Sequence, residues 1–274
     1  MRKKILFIAF LLSAVFFVQC RAKEDKRHET DDSVKTEIAK EATVIKDTTN
    51  VSEDGEQPDT PQIAQREPHK GFVYVKDLIP DLIEDLRYFT TNNFMGVKVD
   101  GYEANVAILT KQAAEKLKEA ADELRKMGYV IKIYDAYRPQ CAVDHFVRWA
   151  KTSDQRNKKD YYPTLAKNNL FPTYIARKSG HSKGSTIDMT ICHKETGKEV
   201  DMGEHFDYFG PPSHPSFVGK YIGGGEITPQ HKKNRMMLRE VMVRHGFKPY
   251  DSEWWHFTLR NEPYPTTFFE FHVK

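Results

Sequence analysis

A chain of 274 residues with 42 lysines and arginines against 39 aspartates and glutamates carries a formal charge of only +3 at pH 7. The two signs are interspersed rather than gathered into a basic stripe, so nucleic acid is removed from the expected partners. Aromatic residues make up 12% of the chain and none falls between residues 21 and 69, so the core-forming capacity is concentrated in the last two hundred or so residues, a length that suits one domain.

Taken from the start, residues 1–20 carry a basic opening, Arg2, Lys3 and Lys4, followed by an uncharged apolar run over 5–18. That is the pattern of an export signal. The run is shorter than the ~20 apolar residues that a bilayer span requires, and charge follows it at once. Cys20 resembles the lipid-acceptor cysteine of bacterial lipoproteins, although Gln19 departs from the small residue usual before it. An exported, lipid-anchored protein of the periplasm or cell envelope is therefore expected. Residues 21–69 are rich in Lys, Glu, Asp and Thr and end with Pro58, Pro61 and Pro68. Such a stretch cannot bury enough apolar surface to offset chain entropy, and it is expected to be a disordered charged tether.

The folded domain is then 70–274. Short strand-like runs are expected at 71–75 and 85–89, with 97–107 winding between them and the first helix. Thr110 is a suitable N-cap for that helix, Ala113, Leu117, Ala120, Ala121, Leu124 and Met127 form its apolar stripe, and Gly128 stands where a left-handed C-cap is wanted. Residues 129–134 alternate and should be the next strand, delivering Asp135 and Arg138 at its end, where Pro139 opens a helix with Ala142, Val143, Phe146, Val147 and Ala150 on one face. The polar, tyrosine-rich stretch 157–178 reads as a surface excursion. A strand is expected over 185–192, a helix from Thr228 and Pro229 to about His245 closed by Gly246, and a last strand over 253–259. Pro211, Pro212 and Gly223, Gly224, Gly225 mark 211–230 as a loop, a surface insertion or a wall of the substrate pocket. Cys141 and Cys192 could pair in an exported protein.

Two stretches carry the chemistry. Residues 179–188 place His181 and Asp188 seven apart across a glycine-bearing turn, and Glu253-Trp254-Trp255-His256-Phe257 sets an acid and a histidine among large aromatic rings. Catalytic zinc takes three protein ligands from His and Asp/Glu and keeps a fourth position open, so His181, Asp188 and His256 make a complete set for one Zn2+ per chain. Glu253 is left over as a general base, with a pKa raised by its aromatic surroundings. His205 and His214 are alternative ligands. One tension follows from strand geometry: on a regular strand Glu253 and His256 point to opposite faces, so a bulge or a strand-end placement is required.

Ser179-x-His181-x-x-Gly184-x-x-x-Asp188, Glu253-Trp254-Trp255-His256 and the upstream Asp135-Ala136-Tyr137-Arg138-Pro139 resemble, in order and separation, the three signatures of the zinc D-alanyl-D-alanine dipeptidases of the vancomycin-resistance type. Further similar stretches are Asp85-Leu86-Arg87-Tyr88, Asn93-Phe94, Asp100-Gly101-Tyr102, Asp201-Met202-Gly203 and Phe206-Asp207, so the resemblance spans about 74–259. It implies an α+β fold, a single domain with a mostly antiparallel sheet packed with helices and the zinc in a cleft at the sheet. It also implies hydrolysis of D-alanyl-D-alanine or another short cell-wall peptide, with Glu253 as base, Arg138 stabilising charge on the carbonyl oxygen, Asp207 holding the substrate's amino group, and Ser179 and Tyr88 at the substrate. The alternatives are a peptidoglycan D,D-carboxypeptidase or endopeptidase, and a non-catalytic cell-wall-binding lipoprotein with a structural zinc. Glu253 and Arg138 have no purpose in the last of these.

Overall fold

The computed structural model describes residues 67–274; the export signal, Cys20 and nearly all of the 21–69 tether lie outside the described residues. β1 (Phe72–Tyr74) runs into the single turn α1 (Val75–Leu78), β2 (Ile83–Glu84) follows, and β3 (Ile108–Thr110) returns to pair antiparallel with β1. The Thr110 hydroxyl accepts from the Ala113 N–H and caps α2 (Lys111–Lys126), and Gly128, at φ 89°, takes the left-handed conformation after its end. Next come β4 (Tyr129–Asp135), α3 (Gln140–Ala150), the short α4 (Lys158–Tyr161) and β5 (Thr186–His193). The small hairpin β6 (Gly219–Lys220) and β7 (Glu226–Ile227) precedes α5 (Pro229–Arg244), which is capped by Thr228, and β8 (Phe247–Tyr250) and β9 (Glu253–Leu259) finish the sheet.

One five-stranded sheet, in the order β2-β4-β5-β9-β8, organises these elements, with β2 parallel to β4 and every other pair antiparallel. α2 packs on β4, α5 packs on β8 and β9, and the two helices touch. Their buried stripes, Leu117, Ala120, Leu124 and Leu238, Val241, Met242, close over sheet residues such as Ile133, Ile187, Met189 and Phe257. Each Leu, Ile or Phe fully buried in this way stabilises the fold by about 1.5–3 kcal/mol. The opposite face of the sheet is left for chemistry.

Two register shifts decide what stands on that face. Ile133 pairs with Met189 but Asp135 pairs with Asp188, so a bulge at Tyr134 separates two residues that a regular strand would keep together. Ile133 therefore turns to the helices and Asp135 to the Asp188 side. The second shift is between β8 and β9, where Pro249 pairs with Phe257 but Tyr250 pairs with Glu253. Paired residues share a face, so Glu253 joins Tyr250 on the side where His256 already stands opposite Asp188. This is the irregularity that the Glu253/His256 spacing demands.

Several sequence expectations are corrected. Residues 85–89 do not form a strand. After Asp85 the Leu86 N–H donates to Asn105 Oδ1 rather than to a neighbouring strand, and Arg87–Phe89 tightens into a 3-10 turn that carries Tyr88 inward. The stretch 157–178 is more than a surface excursion, since Tyr162, Leu170 and Ile175 are buried and the Lys167 ammonium donates to the Trp149 and Thr152 carbonyls at the end of α3. Cys141 and Cys192 are both free thiols.

Candidate active site

His181 sits in a 3-10 turn, Gly180–Lys183, between the capping Ser179, whose hydroxyl accepts from the His181 N–H, and Gly184. Gly184 has φ 79°, and a Cβ there would stand 2.1 Å from the Phe72 ring, so both backbone and space require glycine. The turn delivers His181 to Asp188 on β5, and the Asp188–His256 pairing on β9 brings the second imidazole alongside. His181, Asp188 and His256 form a group able to hold a metal ion. His181 Nε2 lies 3.2 Å from Asp188 Oδ2 and 3.4 Å from His256 Nδ1, and His256 Nδ1 lies 2.9 Å from Asp188 Oδ1.

A tetrahedral zinc ion with bonds of about 2.0–2.2 Å places its ligand atoms about 3.3–3.6 Å apart, close to these separations. Second-sphere geometry agrees. His181 Nδ1 lies 2.7 Å from the Ala136 carbonyl, which only accepts, so Nδ1 carries a proton and Nε2 is the nitrogen placed to ligate a metal beside the Asp188 carboxylate. Asp188 Oδ1 is buried without a hydrogen-bond partner, although His256 Nδ1 is close by. The buried carboxylate and the ring nitrogens that face it call for positive charge among them, which a divalent cation supplies. Burial also pushes the His256 pKa down, which favours the neutral ring that a metal needs. The residues fit zinc.

Around this centre stand the other expected groups. Glu253 Oε2 is 3.5 Å from His256 Nδ1, and burial, followed by the charges of Asp188 and Asp207, pushes its carboxyl well above the usual range. A cation at the ligands acts in the opposite direction. Arg138 Nε donates to Asp135 Oδ2 at 2.8 Å, and Tyr102 donates to the other oxygen of the same fully buried carboxylate at 2.6 Å. Burial works against the Arg138 charge, but Asp135 together with Tyr88, Tyr102 and Asp188 more than offsets it, so the guanidinium stays charged. It lies over the Tyr88 ring and reaches toward Ser179 Oγ and Asp188 Oδ2, each at 3.5 Å. Asp207 is buried in the left-handed region at φ 65°, accepts from the Tyr88 hydroxyl at 2.8 Å, and is pushed up to about 8 by burial and then by Asp188.

All eight expected residues, Tyr88, Arg138, Ser179, His181, Asp188, Asp207, Glu253 and His256, line one cavity of about 190 Å³. The expected alternatives do not. Both ring nitrogens of His205 face backbone carbonyls, of Phe206 and Asp160, and His214 ends a short turn whose carbonyl accepts from Arg235. No residue of 211–230 lines the cavity either. Its outer wall is 172–176 with Tyr250, and its apolar floor is Phe94, Phe146 and Phe209. Sequence reading missed this wall because nothing in its composition distinguishes it from the loop around it.

Three zinc ligands with an unspent carboxylate beside them and a charged arginine opposite, on one face of a mixed α/β domain, define a zinc metallopeptidase. The D-ala-D-ala dipeptidase family model of the M15 peptidases matches residues 68–274. The chain is 42% identical over 206 residues to the D-alanyl-D-alanine dipeptidase of Enterococcus faecalis and 38% identical over 206 residues to that of Enterococcus faecium. It is 37% identical over 204 residues to that of Streptomyces coelicolor, and each comparison covers 74% of this chain and 98% of the relative. The chain belongs to the D-alanyl-D-alanine dipeptidase family.

Proposed function

We propose that the protein hydrolyses free D-alanyl-D-alanine to two molecules of D-alanine in a cleft on the open face of the sheet, and that the observation carrying this reading is the buried Asp207 at one end of that cleft. His181, Asp188 and His256 would hold zinc, which when bound supplies the Lewis acidity that polarises the scissile carbonyl. Glu253 takes the proton of the attacking water and returns it to the leaving amine. Arg138, fixed by Asp135, stabilises the negative charge that develops on the carbonyl oxygen. Tyr88 orients Asp207, and Ser179 keeps the His181 turn and the arginine in register.

Asp207 supports a dipeptidase over a carboxypeptidase. A dipeptide carries its ammonium one residue from the scissile bond, and a buried carboxylate there is matched by that charge. A stem peptide presents an uncharged amide at the same place and leaves the buried acid with the Tyr88 hydroxyl but no countercharge from the substrate, which is costly. With the full chain loaded with zinc, D-alanyl-D-alanine is expected to be cleaved and its N-acetyl derivative is not, and Asp207→Ala narrows the difference by losing the free dipeptide. Release of D-alanine from both substrates at similar kcat/KM would establish the carboxypeptidase instead.

The same reading places the enzyme outside the cytoplasm, where it recycles wall fragments, on the strength of Arg2, Lys3, Lys4, the apolar run over 5–18 and Cys20. Expressed with its leader, the wild-type protein is expected in the membrane fraction and Cys20→Ala in the soluble fraction. Recovery of both in the soluble fraction would exclude a lipid anchor on this cysteine.

A further inference from the structure

The catalytic cavity ends at Tyr250, and a second hollow of about 320 Å³ begins on the other side of it. The two share only Tyr250 and His256; the outer one is otherwise lined by Lys248, Pro249, Thr258, Leu259, Arg260 and Glu262. The Tyr250 hydroxyl donates to the Thr173 carbonyl at 3.0 Å, and its ring lies against the His256 ring with centroids 5.5 Å apart. Thr173 belongs to 172–176, the wall facing the zinc ligands. A single side-chain hydrogen bond thus ties β8 to that wall where the inner cavity meets the outer hollow.

Strand order gives the cleft a direction. Tyr88 follows β2 and holds Asp207, Arg138 follows β4, the ligands stand on β5 and β9 and in the turn before β5, and Tyr250 ends β8 at the far edge. With the substrate's ammonium at Asp207, its second residue and free carboxylate extend toward Tyr250. A peptide longer at its carboxyl end would have to pass between Tyr250 and Thr173. Beyond them it would meet Lys248 and Arg260, exposed cations with no carboxylate partner among the described residues, whereas Glu262 is occupied by Lys183. The outer hollow is chemically suited to a peptide's carboxylate terminus, and Tyr250 stands in the way.

We propose that Tyr250 is a specificity-determining residue whose bond to Thr173 shuts the leaving-residue end of the cleft, restricting substrates on that side to one residue beyond the scissile bond. The direction of this inference rests on the Asp207 reading given above. Opening the latch admits a carboxyl-extended peptide, whose end then runs into the hollow beside Lys248 and Arg260.

The test uses the zinc-loaded full chain and three substrates: D-alanyl-D-alanine, D-alanyl-D-alanyl-glycine and N-acetyl-D-alanyl-D-alanine. Tyr250→Phe removes only the hydroxyl and keeps the ring on His256. It should raise kcat/KM for the first bond of the tripeptide, relative to the dipeptide, by about two- to tenfold, the worth of one net hydrogen bond. Tyr250→Ala also removes the wall and should raise that ratio further, and zinc content reports whether loss of the ring has disturbed His256. In both variants the acetylated dipeptide should gain nothing. A ratio fixed at the wild-type value in Tyr250→Phe and Tyr250→Ala at full zinc content overturns the latch, as does a parallel fall on all substrates, which is the mark of a purely structural tyrosine. A gain confined to the acetylated dipeptide overturns the direction. Failure of the Asp207 reading shows separately, as wild-type cleavage of the acetylated dipeptide without any change at Tyr250.

Discussion

Glu253→Gln should lower kcat by about 10²–10⁴-fold while leaving one zinc per chain, the range expected when a general acid/base is removed from an otherwise intact site. Glutamine keeps the shape and the contact near His256 but cannot take a proton from water at neutral pH. The raised pKa adds a pH signature. Burial, with Asp188 and Asp207, favours the protonated acid, and a base works only when deprotonated. Wild-type kcat should therefore fall as pH is lowered through the Glu253 pKa and recover as it is raised, and the residual kcat of Glu253→Gln should lack that limb, whereas kcat/KM of both keeps the separate dependence on the ionisation of Asp207. Arg138→Lys in the same assay should lower kcat more than it raises KM, because an ammonium cannot donate to Asp135 and reach the carbonyl oxygen at once. Near-normal turnover in Glu253→Gln would remove the carboxylate from the mechanism and leave the zinc site without an identified base.

The sequence made much of this site legible, and the reason is local. His181 and Asp188 come from one turn and the strand after it, so their spacing survives folding; Thr110, Gly128, Thr228 and Gly246 mark helix ends whose chemistry is equally local. The positions of Asp135 and Glu253 are different. Each reaches the catalytic face through a register shift, at Tyr134 and between Pro249 and Tyr250, and a bulge is set by how two distant strands pair. Strand periodicity alone puts Glu253 and His256 on opposite faces, so the spacing could signal that an irregularity was needed but not supply it. The outer wall was invisible for a related reason. Thr173 contributes a backbone carbonyl, which every residue type carries, and its partner Tyr250 is 77 residues away. The Tyr88–Asp207 bond spans 119 residues and joins a turn that reads as a strand to an aspartate whose left-handed backbone has no sequence mark.

His256→Ala should empty the metal site and abolish hydrolysis without unfolding the chain, because the ring is partly exposed at the edge of the cleft while Trp255 and Phe257 on either side carry the packing. Catalytic zinc needs three protein ligands, and the remaining His181 and Asp188 leave too few to hold it against solvent. Stability distinguishes loss of metal from loss of fold. An ion present at about 1,000 times its Kd stabilises the folded state by about 4.1 kcal/mol, and at about 2–4 °C per kcal/mol for a domain of this size a chelator should lower the wild-type Tm by roughly 8–16 °C. The Tm of His256→Ala should already stand near the chelated wild-type value and should not respond to chelator. His205→Ala and His214→Ala serve as controls, since neither ring faces the cavity, and both should keep stoichiometric zinc and the full chelator shift. Stoichiometric zinc in His256→Ala, or loss of zinc from either control, would mean that the ion is held by a different set of side chains and that the convergence of His181, Asp188 and His256 has another cause.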